Sequence, residues 1–172
     1  MTNHFSLLTK SLWLAAQCHA QQQRKSDGSP YINHLIEVVD MLVNIAHVQD
    51  ENELCAAALH DSIEDTRITK GQIANEFGIC VLEMVEALTD NKTLSLTERR
   101  ASILEKLPCE ATSVQRIKLA DICSNASAIP CGWSNERLTE YFVWLDQVAK
   151  LCKNASPSLY DEYLKRRATA IK

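Results

Sequence analysis

Four ionisable side chains fall within the six residues His60-Asp61-Ser62-Ile63-Glu64-Asp65. On a continuous helix, His60 and Glu64 would share one face through i,i+4 spacing, and Asp61 and Asp65 the adjoining face. The result is one polar corner holding an imidazole and three carboxylates. The preceding Ala56-Ala57-Ala58-Leu59 reads as buried, and carboxylates crowded at such a place repel one another and are costly to bury without a cation. Two further residues complete a coordination set. His34 stands near the start of the preceding helical segment, and Asp121 interrupts the core-facing run Ile117-Lys118-Leu119-Ala120. Two histidines and two aspartates make a mixed N/O site of intermediate hardness. That set suits Mn²⁺ or Fe²⁺ and accommodates Co²⁺ or Zn²⁺. A cation so held lowers the pKa of a bound water. Glu64 and Asp65, one turn beyond the ligands, are placed to orient or deprotonate it.

The elements that must position these residues are helical almost throughout. Phe5, Leu8, Leu12, Ala15 and His19 recur at helical spacing, which places His19 in the core. Asp27-Gly28-Ser29-Pro30 is a turn signal, and after it Leu35, Val38, Val39, Leu42 and Ile45 form the stripe of a second helix. A third helix starts near Asp50, with small residues at its centre for close packing. Thr69 and Gln72 have capping-box spacing, and Gly78 is placed to end the short helix they open. Val81, Met84, Val85 and Leu88 mark the next helix, and 89–96 has no periodicity and reads as a loop. Helices around 97–107, 111–128 and 134–153 follow, and Ser156-Pro157 opens a C-terminal one. The expectation is an all-α bundle of about eight to ten helices in a single domain over residues 1–172.

Composition excludes several classes. The chain has 172 residues, 46% hydrophobic and 23% charged, with only 4 Gly and 4 Pro, so it is neither disordered nor a many-stranded β fold. No apolar run is long enough for a membrane span. Lys10 and Ser11 interrupt the apolar N-terminal stretch, which reads as an amphipathic helix of a cytoplasmic protein rather than a secretory signal. Seven cysteines form no CxxC pair, which points to reduced, buried thiols. Trp13, Trp133 and Trp144 read as core or lid packing. A net charge of −4 argues against nucleic-acid binding but leaves room for a local basic pocket.

His34, His60-Asp61 and Asp121 resemble the H…HD…D signature of HD-domain metal-dependent phosphohydrolases. More narrowly, several stretches are similar to the hydrolase domain of RelA/SpoT proteins: Arg24-Lys25 through Asn33-His34, the HDSIEDT run at 60–66, Lys118-Leu119-Ala120-Asp121 with Asn125, and Gly132-Trp133-Ser134 with Glu140-Tyr141-Phe142. The likeness covers roughly 10–150 and implies a stand-alone small alarmone hydrolase on an HD-domain fold. It would remove the 3′-pyrophosphate of (p)ppGpp, usually with Mn²⁺. The resemblance also implies a nucleobase-side wall at Arg24 and Lys25, a ribose contact at Asn125, phosphate contacts at Lys92 and at one or both of Arg99 and Arg100, and a pocket-closing Tyr141. The chain departs from the family at Ile122 and Ser127, where basic residues are common. Two other substrates, ppApp and the 2′-phosphate of NADPH, suit the same site. A nucleotide-binding regulator or antitoxin is the reading from another functional class. Oligomeric state is not legible.

Overall fold

The computed structural model describes residues 6–170, so Phe5 and His4 lie outside it. Among the described residues there are ten α-helices and one 3-10 turn, and the only extended pairing is an isolated antiparallel bridge between Gln23 and Pro30. The helices are α1 (Ser6–Cys18), α2 (Ile32–Asn44), α3 (Glu51–Leu59), α4 (Ser62–Asp65), α5 (Lys70–Phe77), α6 (Ile79–Leu88), α7 (Leu96–Lys106), α8 (Thr112–Ala126), α9 (Asn135–Cys152) and α10 (Pro157–Thr169). The all-α expectation is borne out, and so are most helix starts. Asp50 caps α3, the Thr69–Gln72 capping box opens α5, and Ser156 caps α10 with Pro157 at its first position. Local hydrogen bonding sets each of these points, which is why they can be read from short stretches of chain.

One prediction fails at the centre. The helix carrying Ala56–Leu59 does not run on through Asp65; it stops at Leu59, turns at His60 and Asp61, and resumes as α4. The His60 ring N–H takes the Ala57 carbonyl oxygen at 2.8 Å, competing with the backbone ladder where α3 ends. The HD pair therefore sits at a break between helices.

α3 packs against α1, α2, α6 and α8. Cys55, Ala56, Ala57 and Ala58 are completely buried, and their small side chains admit neighbours on every side. The Glu51 carboxylate accepts the backbone N–H groups of Leu7 and Leu8 at 2.9 and 3.2 Å, satisfying donors in the first turn of α1. α8 is also nearly enclosed, with Ile117, Leu119, Ala120, Ile122 and Cys123 in the core. His19 is buried, as its stripe implied, but Trp13 is 63% exposed and is not core packing. All seven thiols are free, and Cys55, Cys123 and Cys152 are buried as expected, but Cys80, Cys109 and Cys131 are exposed, which corrects the expectation that the thiols lie in the core.

Between α1 and α2 the chain makes a small hairpin around the Gln23–Pro30 bridge. Arg24 N–H donates to Ser29 O at 2.8 Å, and Tyr31 N–H donates to Gln22 O at 2.9 Å. Gly28 has φ +73°, the left-handed conformation that the tight turn requires.

Glu53 is 1% exposed and holds Arg116 of α8 in a bidentate pair at 2.8 and 2.6 Å. Removing one partner of a buried pair leaves an uncompensated charge. Arg116→Ala should therefore lower the unfolding free energy by about 3 kcal/mol in urea titrations. Adding Glu53→Gln to it should restore part of that loss.

Candidate metal centre and cleft

α2 supplies His34, the α3–α4 break supplies His60 and Asp61, and α8 supplies Asp121. Among the described residues, His34, His60 and Asp121 bring potential ligand atoms within 4.8 Å of one another, and all three are buried. His34 Nε2 lies 3.3 Å from Asp121 Oδ1 and 3.8 Å from Asp61 Oδ2. His60 Nε2 lies 3.1 Å from Asp61 Oδ2 and 3.8 Å from Asp121 Oδ1. The four side chains singled out by spacing thus converge, despite the break in the helix that carries two of them.

The hydrogen bonds at the other ring nitrogens assign the tautomers. His60 Nδ1–H is spent on Ala57 O. Ser124 donates its hydroxyl hydrogen to Glu37 Oε2 at 2.6 Å, so its oxygen meets His34 Nδ1 at 2.8 Å as an acceptor. Both Nε2 atoms are then left as lone pairs facing carboxylates, and buried His60 Nε2 has no hydrogen-bond partner. Lone pairs turned on anions repel, and a divalent cation between them turns each contact into a bond. The donor set fits such an ion.

Without a cation, protons take over part of that role. Burial alone would push the His60 imidazole down, but the Asp61 and Asp121 carboxylates hold it well above its ordinary value. Burial opposes ionisation of Asp121, and Lys118 with the two imidazoles overcomes it, keeping that carboxyl well below the usual range.

A surrounding layer fixes the carboxylates. Lys118 Nζ donates to Asp121 Oδ2 at 2.9 Å, and Asn125 Nδ2 donates to Asp121 Oδ1 at 2.6 Å. Tyr31 Oη donates to Asp61 Oδ2 at 2.6 Å, so this tyrosine braces Asp61 as well as packing its ring against His34. Lys118, Ser124 and Glu37 have contacts at the site that sequence reasoning did not assign. Lys118 had a usable signal, standing three residues before Asp121 on the same face of α8.

The proposed proton-handling carboxylates diverge. Glu64 Oε2 accepts the Asp90 N–H at 3.1 Å, while Oε1 has only the longer approaches of Lys92 at 3.7 Å and Arg99 at 4.0 Å. Burial raises the Glu64 carboxyl above its ordinary value. Asp65 has both oxygens engaged, with Lys92 Nζ at 2.5 Å and Gln22 Nε2 at 2.9 Å.

A cleft of about 260 Å³ is lined by Arg24, Lys25, Asp65, Asn125, Trp133 and Tyr141, among others, with the Asp61 brace Tyr31 also on its wall. It gathers four of the residues expected to touch substrate. The remaining three stand apart. Lys92 bridges Glu64 and Asp65, and Arg99 faces Glu64 and Asp90 and lines a separate cavity. Arg100 lays its guanidinium over the rings of Tyr141 and Trp144 at 5.5 and 5.2 Å. Of the two departures, Ile122 is 1% exposed in the core, and Ser127 is the exposed C-cap of α8.

A family model described as the HD domain matches residues 11–130. The chain belongs to the HD-domain family. Within that family, the guanosine-3′,5′-bis(diphosphate) 3′-pyrophosphohydrolase MESH1 of Mus musculus is 38% identical over 171 residues, spanning 96% of this chain and 95% of its own length. Its Homo sapiens counterpart is 39% identical over 155 residues, spanning 87% of each chain. The solved structure of a metazoan orthologue of SpoT, described as hydrolysing ppGpp and playing a role in starvation responses, superposes with a TM-score of 0.89. It is 32% identical and covers 95% of both chains. The resemblance to RelA/SpoT-type HD domains is borne out.

The cluster should bind a divalent ion and be stabilised by it. Mn²⁺ at a hundred times its Kd should add about 2.7 kcal/mol of stability, read as a rise in melting temperature. Asp121→Ala should abolish that rise; an equal rise in the variant would place the ion elsewhere.

Proposed function

We propose that this chain removes the 3′-pyrophosphate of (p)ppGpp, giving GDP or GTP and pyrophosphate. The observation that carries this reading is the pair of imidazole lone pairs and two carboxylates beside a basic, aromatic cleft. The likeness of nearly the whole chain to MESH1 supports it. In this reading residues 1–172 act as one HD unit in the cytoplasm, with a nucleotide rather than a nucleic acid as partner. Its free thiols suit a reducing compartment.

His34, His60, Asp61 and Asp121 would hold the ion, and the balance of nitrogen and oxygen donors favours Mn²⁺, with Fe²⁺, Co²⁺ and Zn²⁺ as competitors. Such an ion polarises the phosphorus and makes a bound water more acidic. Glu64 Oε1, the less committed carboxylate oxygen, takes the proton from the attacking water. The water oxygen bonds to the phosphorus carried by the ribose 3′-oxygen; that P–O bond breaks, and the 3′-oxygen leaves as a hydroxyl by taking the proton that Glu64 accepted. Asp65 works with Glu64 by holding Lys92 between them. Lys92 then turns to the arriving phosphates, with Arg99 behind Glu64.

Arg24 and Lys25 form the wall against which the base lies, and Asn125 faces the ribose while steadying Asp121. Tyr141 closes the cleft, with Arg100 and Trp144 supporting its ring. Burial pushes the Tyr141 phenol up to about 12, so it stays a neutral donor.

The direct test is product analysis of ppGpp with Mn²⁺ and with EDTA, beside ppApp and NADPH. Mn²⁺-dependent GDP and pyrophosphate are expected, with ppGpp the fastest of the three. Intact ppGpp with turnover of another nucleotide would change the substrate, and binding without turnover would make the chain a regulator. Glu64→Gln should lower kcat at least about 100-fold while leaving Mn²⁺ affinity nearly unchanged. Because the Glu64 carboxyl is raised, kcat should decline on acidification from a higher pH than an ordinary glutamate would give. The residual rate of Glu64→Gln should lack that limb.

A further inference from the structure

Arg166 lies on α10, beyond the stretch that the family model matches. It reaches back across the bundle and donates from Nη1 to Glu37 Oε1 at 2.5 Å, while Glu162 holds its Nε at 2.9 Å. Glu37 uses its other oxygen to accept the Ser124 hydroxyl at 2.6 Å. Serine has one hydroxyl hydrogen. Spent on Glu37, it leaves the oxygen able only to accept from His34 Nδ1 at 2.8 Å. The chain of contacts thus runs from α10 to α2, to α8, and back to the metal-facing imidazole on α2.

We infer that Arg166 is a positioning residue for the metal centre, acting through Glu37 and Ser124 to keep the hydrogen of His34 on Nδ1 and its Nε2 lone pair free. This rests on His34 being a metal ligand. If Glu37 turns away, the Ser124 hydroxyl is free to donate to Nδ1; the ring hydrogen then moves to Nε2, and that atom can no longer ligate. Burial disfavours an ionised Glu37, but Ser124 and Arg166 outweigh it and hold the carboxyl below its usual range. Arg24 also reaches Ser124 Oγ at 3.0 Å and Glu37 Oε2 at 3.5 Å. It lines the cleft, however, so of the two arginines only Arg166 can be changed without touching the substrate wall.

The test is Mn²⁺ affinity by electron paramagnetic resonance for wild type, Arg166→Met and Arg166→Lys, with ¹⁵N imidazole spectra of the metal-free proteins. Arg166→Met should bind Mn²⁺ about tenfold more weakly and shift the His34 nitrogens toward a mixed tautomer, and Arg166→Lys should recover most of both. Unchanged affinity and an unchanged His34 spectrum would overturn the inference. If Arg166→Met does not fold, Glu37→Gln decides, with the same weakening expected and wild-type affinity the overturning result. Failure of the wild-type protein to bind Mn²⁺ would overturn the metal reading and this inference with it.

Discussion

Two imidazole lone pairs and two carboxylates are forced together at the centre of a helical bundle, and much of the structure serves to hold them there. Unaided, the arrangement is unfavourable: His34, His60 and Asp121 are buried and the lone pairs face anions. The protein answers with a fixed hydrogen-bond partner for almost every other atom of the cluster. Ala57 O and Ser124 take the ring hydrogens, while Lys118, Asn125 and Tyr31 hold carboxylate oxygens. Little is left to move except what enters between them. Preorganisation of this kind removes the ordering cost that a loose cluster would meet on binding an ion.

The alanines of α3 are part of the same solution. α2 and α8 carry His34 and Asp121, and both pack against α3, whose side chains at Cys55–Ala58 are small and completely buried. Larger residues at Ala57 or Ala58 would separate the helices that must bring their ligands together. Packing and electrostatics are therefore not independent here, because the core sets the distances on which the charge balance depends.

Much of this was legible in the sequence because it is local or periodic. Stripes at helical spacing marked the helices, Thr69 with Gln72 three residues on marked one cap, and Ser156 directly before Pro157 marked another. The residues of the metal cluster were legible for a different reason, since an acid inside a core stripe, such as Asp121, requires a partner. What sequence reasoning missed is long in range or competitive. The break after Leu59 arises where a side chain takes a carbonyl that the helix would use, and simple i,i+4 counting cannot register that competition. The links from Arg166 to Glu37 and from Ser124 to His34 span 129 and 90 residues, and no spacing rule reaches so far. Arg100 looked like a phosphate ligand by type, yet the rings of Tyr141 and Trp144 claim it.

The hairpin between α1 and α2 closes on itself. Its strands bond to each other through Arg24, Ser29, Gln22 and Tyr31. Residues 25–29 therefore form the tip of the hairpin at the mouth of the cleft, held from both sides and shaped within by Gly28 and by Asp27, which accepts the Ser29 N–H. The flanks of the hairpin reach the inner cluster: Arg24 donates to Ser124, Tyr31 to Asp61 and Gln22 to Asp65. In the proposed reading, the tip that carries Lys25 is free to change while Arg24, Gln22 and Tyr31 are held by the cluster behind them, so one side of the wall can drift and the other cannot.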